Sequence, residues 1–151
     1  MIKLFGEIQP VYAHCDIPCG IYDPHRAQIA ALTVVRMIDL LGKAGDDAHT
    51  VARLTVVKEE HAEICKHEVR IIWGDYMKGE KLDGHPEIHT LVHQIMALAS
   101  GAKQGIDRKA ALDLLTAVNQ FSEIFWQTKG VKTKRVKAPY EPKEELIYPD
   151  L

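Results

Sequence analysis

The chain has 151 residues, of which 46% are hydrophobic, so it is long enough for one domain with its own hydrophobic core. Its formal net charge of −2 predicts no bulk attraction to nucleic acid or to a membrane surface, and no apolar run reaches the length of a membrane span. Three cysteines are too few for a disulfide scaffold. Cys15 and Cys19 lie close together and predict a local thiol site, whereas Cys65 stands alone. Reduced thiols are typical of the cytoplasm, which is the predicted location.

The chain opens with a short segment of mixed character. Residues 1–13 contain one lysine, one glutamate and no continuous apolar core, so they do not resemble a secretory signal peptide. They end at Ala13, a small residue that would suit a protease, directly before His14. The following run as far as Tyr22 is predicted to be non-helical, because its proline and glycine favour turns.

Four amphipathic helices are predicted after this run, each with apolar residues at helical spacing. Their predicted starts are Asp23-Pro24, Asp46-Asp47, Pro86 and Asp107, and their predicted ends are Gly42 to Gly45, a point near residue 78, Gly101 to Gly105, and Gly130. The connections are short, and 79–85 is predicted to be a loop. This pattern predicts an all-α fold, an antiparallel four-helix bundle, and no strand pattern competes with it.

Residues 131–151 differ in composition from the helices. A basic stretch over 132–137 is followed by three prolines. The pattern predicts an extended tail, either laid on a neighbouring subunit through Leu146, Ile147 and Tyr148 or free and frayed. The basic stretch is interpreted as a solvated face, with nucleic-acid binding as a remote alternative.

The run before the first helix concentrates metal-binding chemistry. Within six residues it holds the imidazole of His14 and the thiols of Cys15 and Cys19. If the chain began at His14, its α-amine, the next amide nitrogen and two thiolates could form an N2S2 plane, which suits Ni(II) or Cu(II), with the imidazole as a fifth ligand. Anionic donors of this kind favour redox chemistry over hydrolysis. Judged on spacing alone, a surface disulfide or a structural zinc pair is the simpler interpretation of the two thiols.

The sequence of this run resembles a known family. HCDIPCGIYDP is similar to the amino-terminal hook of the nickel superoxide dismutases, whose pattern is H-C-D-x-P-C-G-x-Y, and all seven fixed positions match. The resemblance covers about 14–130. Further matches lie at Val57-Lys58-Glu59-Glu60, Trp73-x-Asp75-Tyr76, Pro86-Glu87-x-His89 and Ile124-Phe125-Trp126-x-Thr128-Lys129.

The resemblance implies a function and an assembly. It implies that superoxide is converted to hydrogen peroxide and oxygen by one nickel per subunit cycling between Ni(II) and Ni(III). It also implies a homohexamer, and a precursor whose residues 1–13 are removed by a maturation protease that cleaves before His14. By position-by-position carry-over, the nickel ligands are His14, Cys15 and Cys19.

The same resemblance implies roles for residues around the ligands. Tyr22 would stand over the open face of the metal and gate the approach of superoxide. Asp16 and Tyr76 would hold the hook through hydrogen bonds, and Pro18 would shape its turn.

Two positions depart from the family pattern. Ala30 stands where family members carry a glutamate, and His61 stands where they carry an arginine; that pair anchors the axial imidazole. His61 could substitute, directly or through water. The departure keeps two alternatives open, a non-catalytic nickel- or zinc-binding protein and an unprocessed, inactive homologue.

The remaining metal-binding side chains have simpler interpretations. Cys65 is predicted to be a buried hydrophobic residue. His89 and His93, spaced i, i+4, are expected to be solvated or capping residues. Trp73 and Trp126 are expected in the core or at a subunit contact.

Overall fold

A computed structural model of the protein describes residues 19–151. It contains five α-helices, one π-helical turn and two short strands. In chain order these are α1 (His25–Leu41), α2 (Ala48–Ile71), the π-helical turn (Ile72–Tyr76), α3 (Glu80–Asp83), α4 (Ile88–Gln104), α5 (Arg108–Thr128), β1 (Thr133–Lys137) and β2 (Glu145–Pro149). Within these residues no helix is both long and apolar enough to cross a membrane.

The predicted starts of α2 and α5 are confirmed by hydrogen bonds to their first turns, whereas α1 begins one residue after Pro24 and α4 two residues after Pro86. The Asp47 carboxylate accepts from the backbone N–H of His49 at 3.1 Å, and the Asp107 carboxylate accepts from that of Lys109 at 2.8 Å. Aspartate oxygens of this kind satisfy N–H groups that have no partner in the first helical turn. Gly130 has φ +68°, a left-handed conformation that favours glycine, and it ends α5 as predicted.

The four long helices pack around one hydrophobic core. α1 packs against α2 and α5, and α4 packs against the same two helices. Ion pairs between helix ends show the relative directions of neighbouring helices. Arg26 at the start of α1 meets Glu68 near the end of α2 at 2.9 Å, and Arg108 at the start of α5 meets Asp39 near the end of α1 at 2.7 Å. These helix pairs are therefore antiparallel. The largest fully buried side chains include Phe121, Phe125, Ile88, Ile95, Leu114, Val34 and Val35.

The end of the second helix and the segment after it both differ from their predicted forms. The helix was expected to run regularly to about residue 78, but a π-helical turn replaces its end, where the Met77 N–H donates to the Ile72 carbonyl at 3.0 Å. The predicted loop over 79–85 contains the short helix α3. The buried positions of α2 are Lys58, Ala62, Cys65 and Val69.

The carboxyl-terminal segment is a β-hairpin, so both predictions of a free tail and of the absence of strands are wrong. β1 and β2 pair antiparallel, with Arg135 opposite Ile147. Leu146 is 0% and Ile147 is 1% exposed, because β2 packs on α1 and α5 of its own chain. These two side chains are therefore already covered and are not available to a neighbouring subunit. Burying them removes apolar surface from water and orders the segment.

Candidate metal centre

The described part of the predicted hook runs from Cys19 to Tyr22 and leads directly into α1. Cys19 is exposed. Gly20 has φ +68°, with open space where a side chain would begin, so the turn requires glycine for its backbone conformation. Ile21 is 75% exposed, and Tyr22 is half-buried against the core. His14, Cys15, Asp16 and Pro18 lie outside the described residues.

Two of the predicted site residues come together. The rings of Tyr22 and Tyr76 lie 5.4 Å apart between centroids, although the residues are far apart in sequence. Tyr76 is 7% exposed and also contacts the Phe125 ring at 4.9 Å. Tyr76 is the last residue of the π-helical turn and continues the buried face of α2, since Val69, Ile72 and Tyr76 keep a helical spacing.

The hydroxyl of Tyr76 has a defined donor role. Its oxygen lies 2.8 Å from Thr128 Oγ1, and Thr128 Oγ1 itself donates to the Phe125 carbonyl at 2.7 Å. A threonine hydroxyl has one hydrogen, so Tyr76 must be the donor in the pair. The oxygen of Tyr76 therefore remains able to accept a hydrogen bond but has no second hydrogen to give.

Two ammonium groups lie over the same tyrosine. Lys81 Nζ is 4.2 Å and Lys129 Nζ is 4.7 Å from the centroid of the Tyr76 ring. Cations at this distance are attracted to the negative face of an aromatic ring. Both lysines are exposed, so they place two positive charges beside the tyrosine pair on a chain whose net charge is slightly negative.

The two positions that depart from the family pattern differ in chemistry. Ala30 is 2% exposed and belongs to the apolar core, so it offers no polar group. His61 is half-buried, and its Nδ1 donates to the Val57 carbonyl at 2.8 Å. In the neutral ring this leaves Nε2 as an acceptor.

The other candidate ligands do not form a second site. Trp73 Nε1 donates to His89 Nδ1 at 3.2 Å, so Nδ1 is the ring nitrogen of His89 that accepts this hydrogen bond. Trp73 and Trp126 both pack against the core. Over residues 19–151, no group of three or more histidine, cysteine or acidic residues could hold a metal ion.

Cys65 is buried with 0% exposure, as predicted. Burial, assisted by the negative charge of Glu68, raises the pKa of its thiol to about 12. A thiol that stays protonated is a poor metal ligand, so Cys65 is a core residue.

The raised pKa of Cys65 predicts a pH-dependent stability. Above about pH 9 the unfolded thiol ionises while the folded thiol keeps its proton, so ionisation lowers the free energy of the unfolded state. We expect this group to lower the free energy of unfolding by about 1.4 kcal/mol per pH unit between those two pKa values. Urea unfolding at pH 8.0, 9.5 and 10.5 measures it. Above about pH 9 the free energy of unfolding of the wild-type protein should fall at this rate relative to that of Cys65→Ala, so that the variant is the more stable protein at pH 10.5. A constant difference would contradict the assignment.

Lys58 makes a buried contact between two helices that the sequence alone did not reveal. The residue is only 2% exposed, and its ammonium donates to the carbonyls of Ala102, Lys103 and Gly105 at the end of α4. The sequence signal available was a lysine with apolar neighbours inside an amphipathic helix. That signal does not say which helix end the lysine reaches.

The fold and the site define a mostly helical protein in which an exposed cysteine segment leads onto a packed tyrosine pair. The family model for nickel-containing superoxide dismutase matches residues 9–129. The superoxide dismutase [Ni] of Streptomyces seoulensis is 40% identical over 127 residues, which is 84% of this chain and 96% of the relative. The Streptomyces coelicolor enzyme of the same name is 39% identical over the same shares.

Solved structures agree with the sequence matches. The native nickel superoxide dismutase at 1.30 Å has a TM-score of 0.73 and 39% identity, covering 78% of this chain and 99% of that one. A nickel superoxide dismutase with nickel ligation of the oxidised state also has a TM-score of 0.73, with 40% identity and the same coverage. The chain belongs to the nickel-containing superoxide dismutase family.

Proposed function

We propose that the protein is a superoxide dismutase whose nickel is bound by His14, Cys15 and Cys19. Membership of the family supports the activity and the metal. The observation that carries the site is the exposed Cys19, six residues before the start of α1 and three residues before Tyr22, which contacts Tyr76. The buried Cys65, with its raised pKa, is unsuited to the role.

The donor set fits nickel chemically. Thiolate and nitrogen donors suit a borderline metal with a square-planar preference. Nickel bound there supplies a one-electron couple, Ni(II)/Ni(III), to which superoxide can give an electron and from which it can take one. Zinc has no such couple, so a zinc-loaded chain would bind metal without turnover.

The tyrosine pair is proposed to control access to the metal. Tyr22 is held on the core side by Tyr76, which limits the positions that its phenol can occupy. Because Tyr76 donates to Thr128, it can meet the hook only as an acceptor. We therefore propose that a donor of the hook, a backbone N–H or the Tyr22 hydroxyl, is its hydrogen-bond partner, rather than the carboxylate of Asp16.

The two exposed lysines are proposed to attract the anionic substrate. Lys81 and Lys129 lie over Tyr76, so their field acts close to Tyr22 even though the whole chain is not positive. A local cluster of one sign raises the encounter rate with a small anion.

Removing one of these charges should lower the association rate in a salt-dependent way. We expect Lys129→Gln to lower kcat/KM for superoxide by roughly 2- to 5-fold at low ionic strength. The deficit should shrink as the Debye length falls from about 30 Å at 0.01 M to about 3 Å at 1 M. Pulse radiolysis across this salt range measures it. Lys134→Gln, which removes an exposed lysine paired with Asp150 in the hairpin, is the matched control. An equal loss in both variants, or a loss independent of salt, would contradict local steering.

Maturation, assembly and location complete the proposal. Removal of residues 1–13 would expose the α-amine of His14 as a ligand, which an uncut chain has only as a peptide nitrogen. We propose that the processed chain forms a homohexamer and acts in the cytoplasm. The exposed apolar residues Ile21 and Val56, 75% and 54% accessible in the single chain, are consistent with burial between subunits. Sedimentation of the processed protein tests the six-subunit assembly.

The deciding experiment compares processed and uncut protein from nickel-supplied cells. Intact mass, metal analysis and superoxide decay are measured on both. A chain starting at His14 with about one nickel per subunit and fast superoxide decay is the expected result. A processed chain that binds nickel or zinc without accelerating decay would replace the proposal with a metal-binding protein. The loss of the anchoring pair at Ala30 and His61 is the observation that favours this second candidate.

A further inference from the structure

The β-hairpin is an addition of this chain to the region that the family shares. The family match ends at residue 129, and β1 and β2 lie after it, over 133–149. The hairpin nevertheless packs on α1 and α5, two helices of the matched region. Its contacts can therefore give the chain a property that the family region lacks.

The strongest of these contacts is made to the first turns of α1. Gln28 is 0% exposed, and its side chain pairs with the backbone of Ile147 in both directions. Gln28 Nε2 donates to the Ile147 carbonyl at 3.0 Å, and the Ile147 N–H donates to Gln28 Oε1 at 2.7 Å. Two buried hydrogen bonds to one strand residue fix both the register and the distance of β2 from the helix.

A second contact lies closer still to the hook. The rings of His25 and Tyr148 are 5.4 Å apart. His25 is the first residue of α1, three residues after Tyr22. At the helix start the Asp23 carboxylate accepts from the His25 N–H at 2.7 Å. The direction in which the chain passes from the hook into α1 therefore depends on the contacts that fix this first turn.

The other end of the hairpin is held separately. Arg108 bridges Glu144 at 2.8 Å to Asp39, which lies near the far end of α1. The Glu144 contact stabilises the hairpin on the helices without touching the turn that carries the hook. Arg135, in the middle of β1 opposite Ile147, pairs with Glu123 of α5 at 2.8 Å and holds β1 on a different helix from the one that carries the hook.

We propose that the carboxyl-terminal hairpin braces the root of the metal-binding hook by holding Gln28 and His25 of α1 through Ile147 and Tyr148. Gln28, His25 and Tyr148 are positioning residues, since they act through α1 on the hook. The inference rests on the proposed function only for its consequence at the metal. The bracing itself, the restraint of residues 19–28 by the hairpin, does not require nickel.

The first arm of the test measures amide hydrogen exchange in the metal-free full chain, resolved by peptide mass spectrometry. Gln28→Leu removes both hydrogen bonds, and Tyr148→Leu removes the ring contact from a half-buried position where folding is less at risk. We expect exchange within 19–28 to be roughly ten-fold faster in each. Tyr148→Phe, which keeps the ring, and Glu144→Gln, which loosens the far end, should leave this peptide unchanged.

The second arm measures the half-time of nickel release to a chelator from processed, loaded protein. It should shorten several-fold in Gln28→Leu and Tyr148→Leu but not in Glu144→Gln at a matched unfolding midpoint. Exchange that rises only within the hairpin, or nickel release that follows overall stability alone, would overturn the brace. If the wild-type chain takes up no nickel, the proposed function fails while the exchange arm still decides the brace.

Discussion

Cys19→Ser is expected to abolish nickel binding by the processed chain and to reduce superoxide dismutation to background. A serine hydroxyl is not ionised at neutral pH and is a hard donor, so one of the two proposed thiolates is lost without a substitute. A site that loses a ligand also loses the donor charge that stabilises the higher oxidation state of nickel. Metal analysis and superoxide decay on the same preparation measure both effects, with an expected activity loss of at least about 100-fold.

The matched control is the other cysteine that the structure describes. Cys65→Ala removes a thiol that is fully buried and stays protonated, so nickel content and activity should be kept. Its stability should fall by only about 1 kcal/mol, since one sulfur atom leaves a small cavity. Circular dichroism of Cys19→Ser should match the wild-type protein, because Cys19 is exposed. Nickel retained by Cys19→Ser, or lost from Cys65→Ala, would move the metal site elsewhere.

The features that sequence could predict are those determined locally. Asp47 and Asp107 start helices because a carboxylate next to free N–H groups is stabilising whatever surrounds it. Gly130 ends α5 for an equally local reason, its left-handed backbone. The candidate ligands of the hook lie within six residues of each other, so the run could be singled out locally, and its assignment as a nickel site stays a prediction.

The features that sequence missed depend on partners far along the chain. The hairpin was interpreted as a tail because the burial of Leu146 and Ile147 requires α1 and α5, and the partner of Ile147 is Gln28, 119 positions away. The resemblance placed Tyr22 and Tyr76 at one site, whereas the π-helical turn that ends with Tyr76 was not indicated by any periodicity of the second helix. Residue type alone carries no information on such pairings.

Lys58 is the clearest of these cases, and its replacement should have a large effect on stability. The ammonium donates to the Ala102 carbonyl at 2.9 Å, to that of Lys103 at 2.7 Å and to that of Gly105. These are among the carbonyls at the end of α4 that have no partner in the helix, and they carry its negative dipole end. Burial lowers the pKa of Lys58, and the negative charge of Glu59 opposes this shift. Hydrogen bonds to three carbonyl oxygens also favour the charged form.

Lys58→Met keeps the apolar stem and removes only the charged group, so two effects compete. The variant no longer buries an ammonium, which is favourable, but it leaves three carbonyls without their donor, one of them in a buried bond. Three carbonyl acceptors lose their donor, whereas only one buried charge is removed. We therefore expect the cost of the lost hydrogen bonds to exceed the gain from no longer burying the ammonium. The free energy of unfolding should fall by about 3 kcal/mol and Tm by roughly 6–12 °C.

Lys103→Met provides the comparison, since Lys103 lies on the same helix end but is partly exposed and pairs with Glu63 at 2.9 Å. A partly exposed ion pair of this kind contributes at most about 1 kcal/mol, so its loss should be small. Urea unfolding of both variants as metal-free full chains measures the difference. If Lys58→Met were no less stable than Lys103→Met, water would have to replace the ammonium at all three carbonyls. The end of α4 would then depend on solvent, and Lys58 would not be the connection that holds α2 to α4 there.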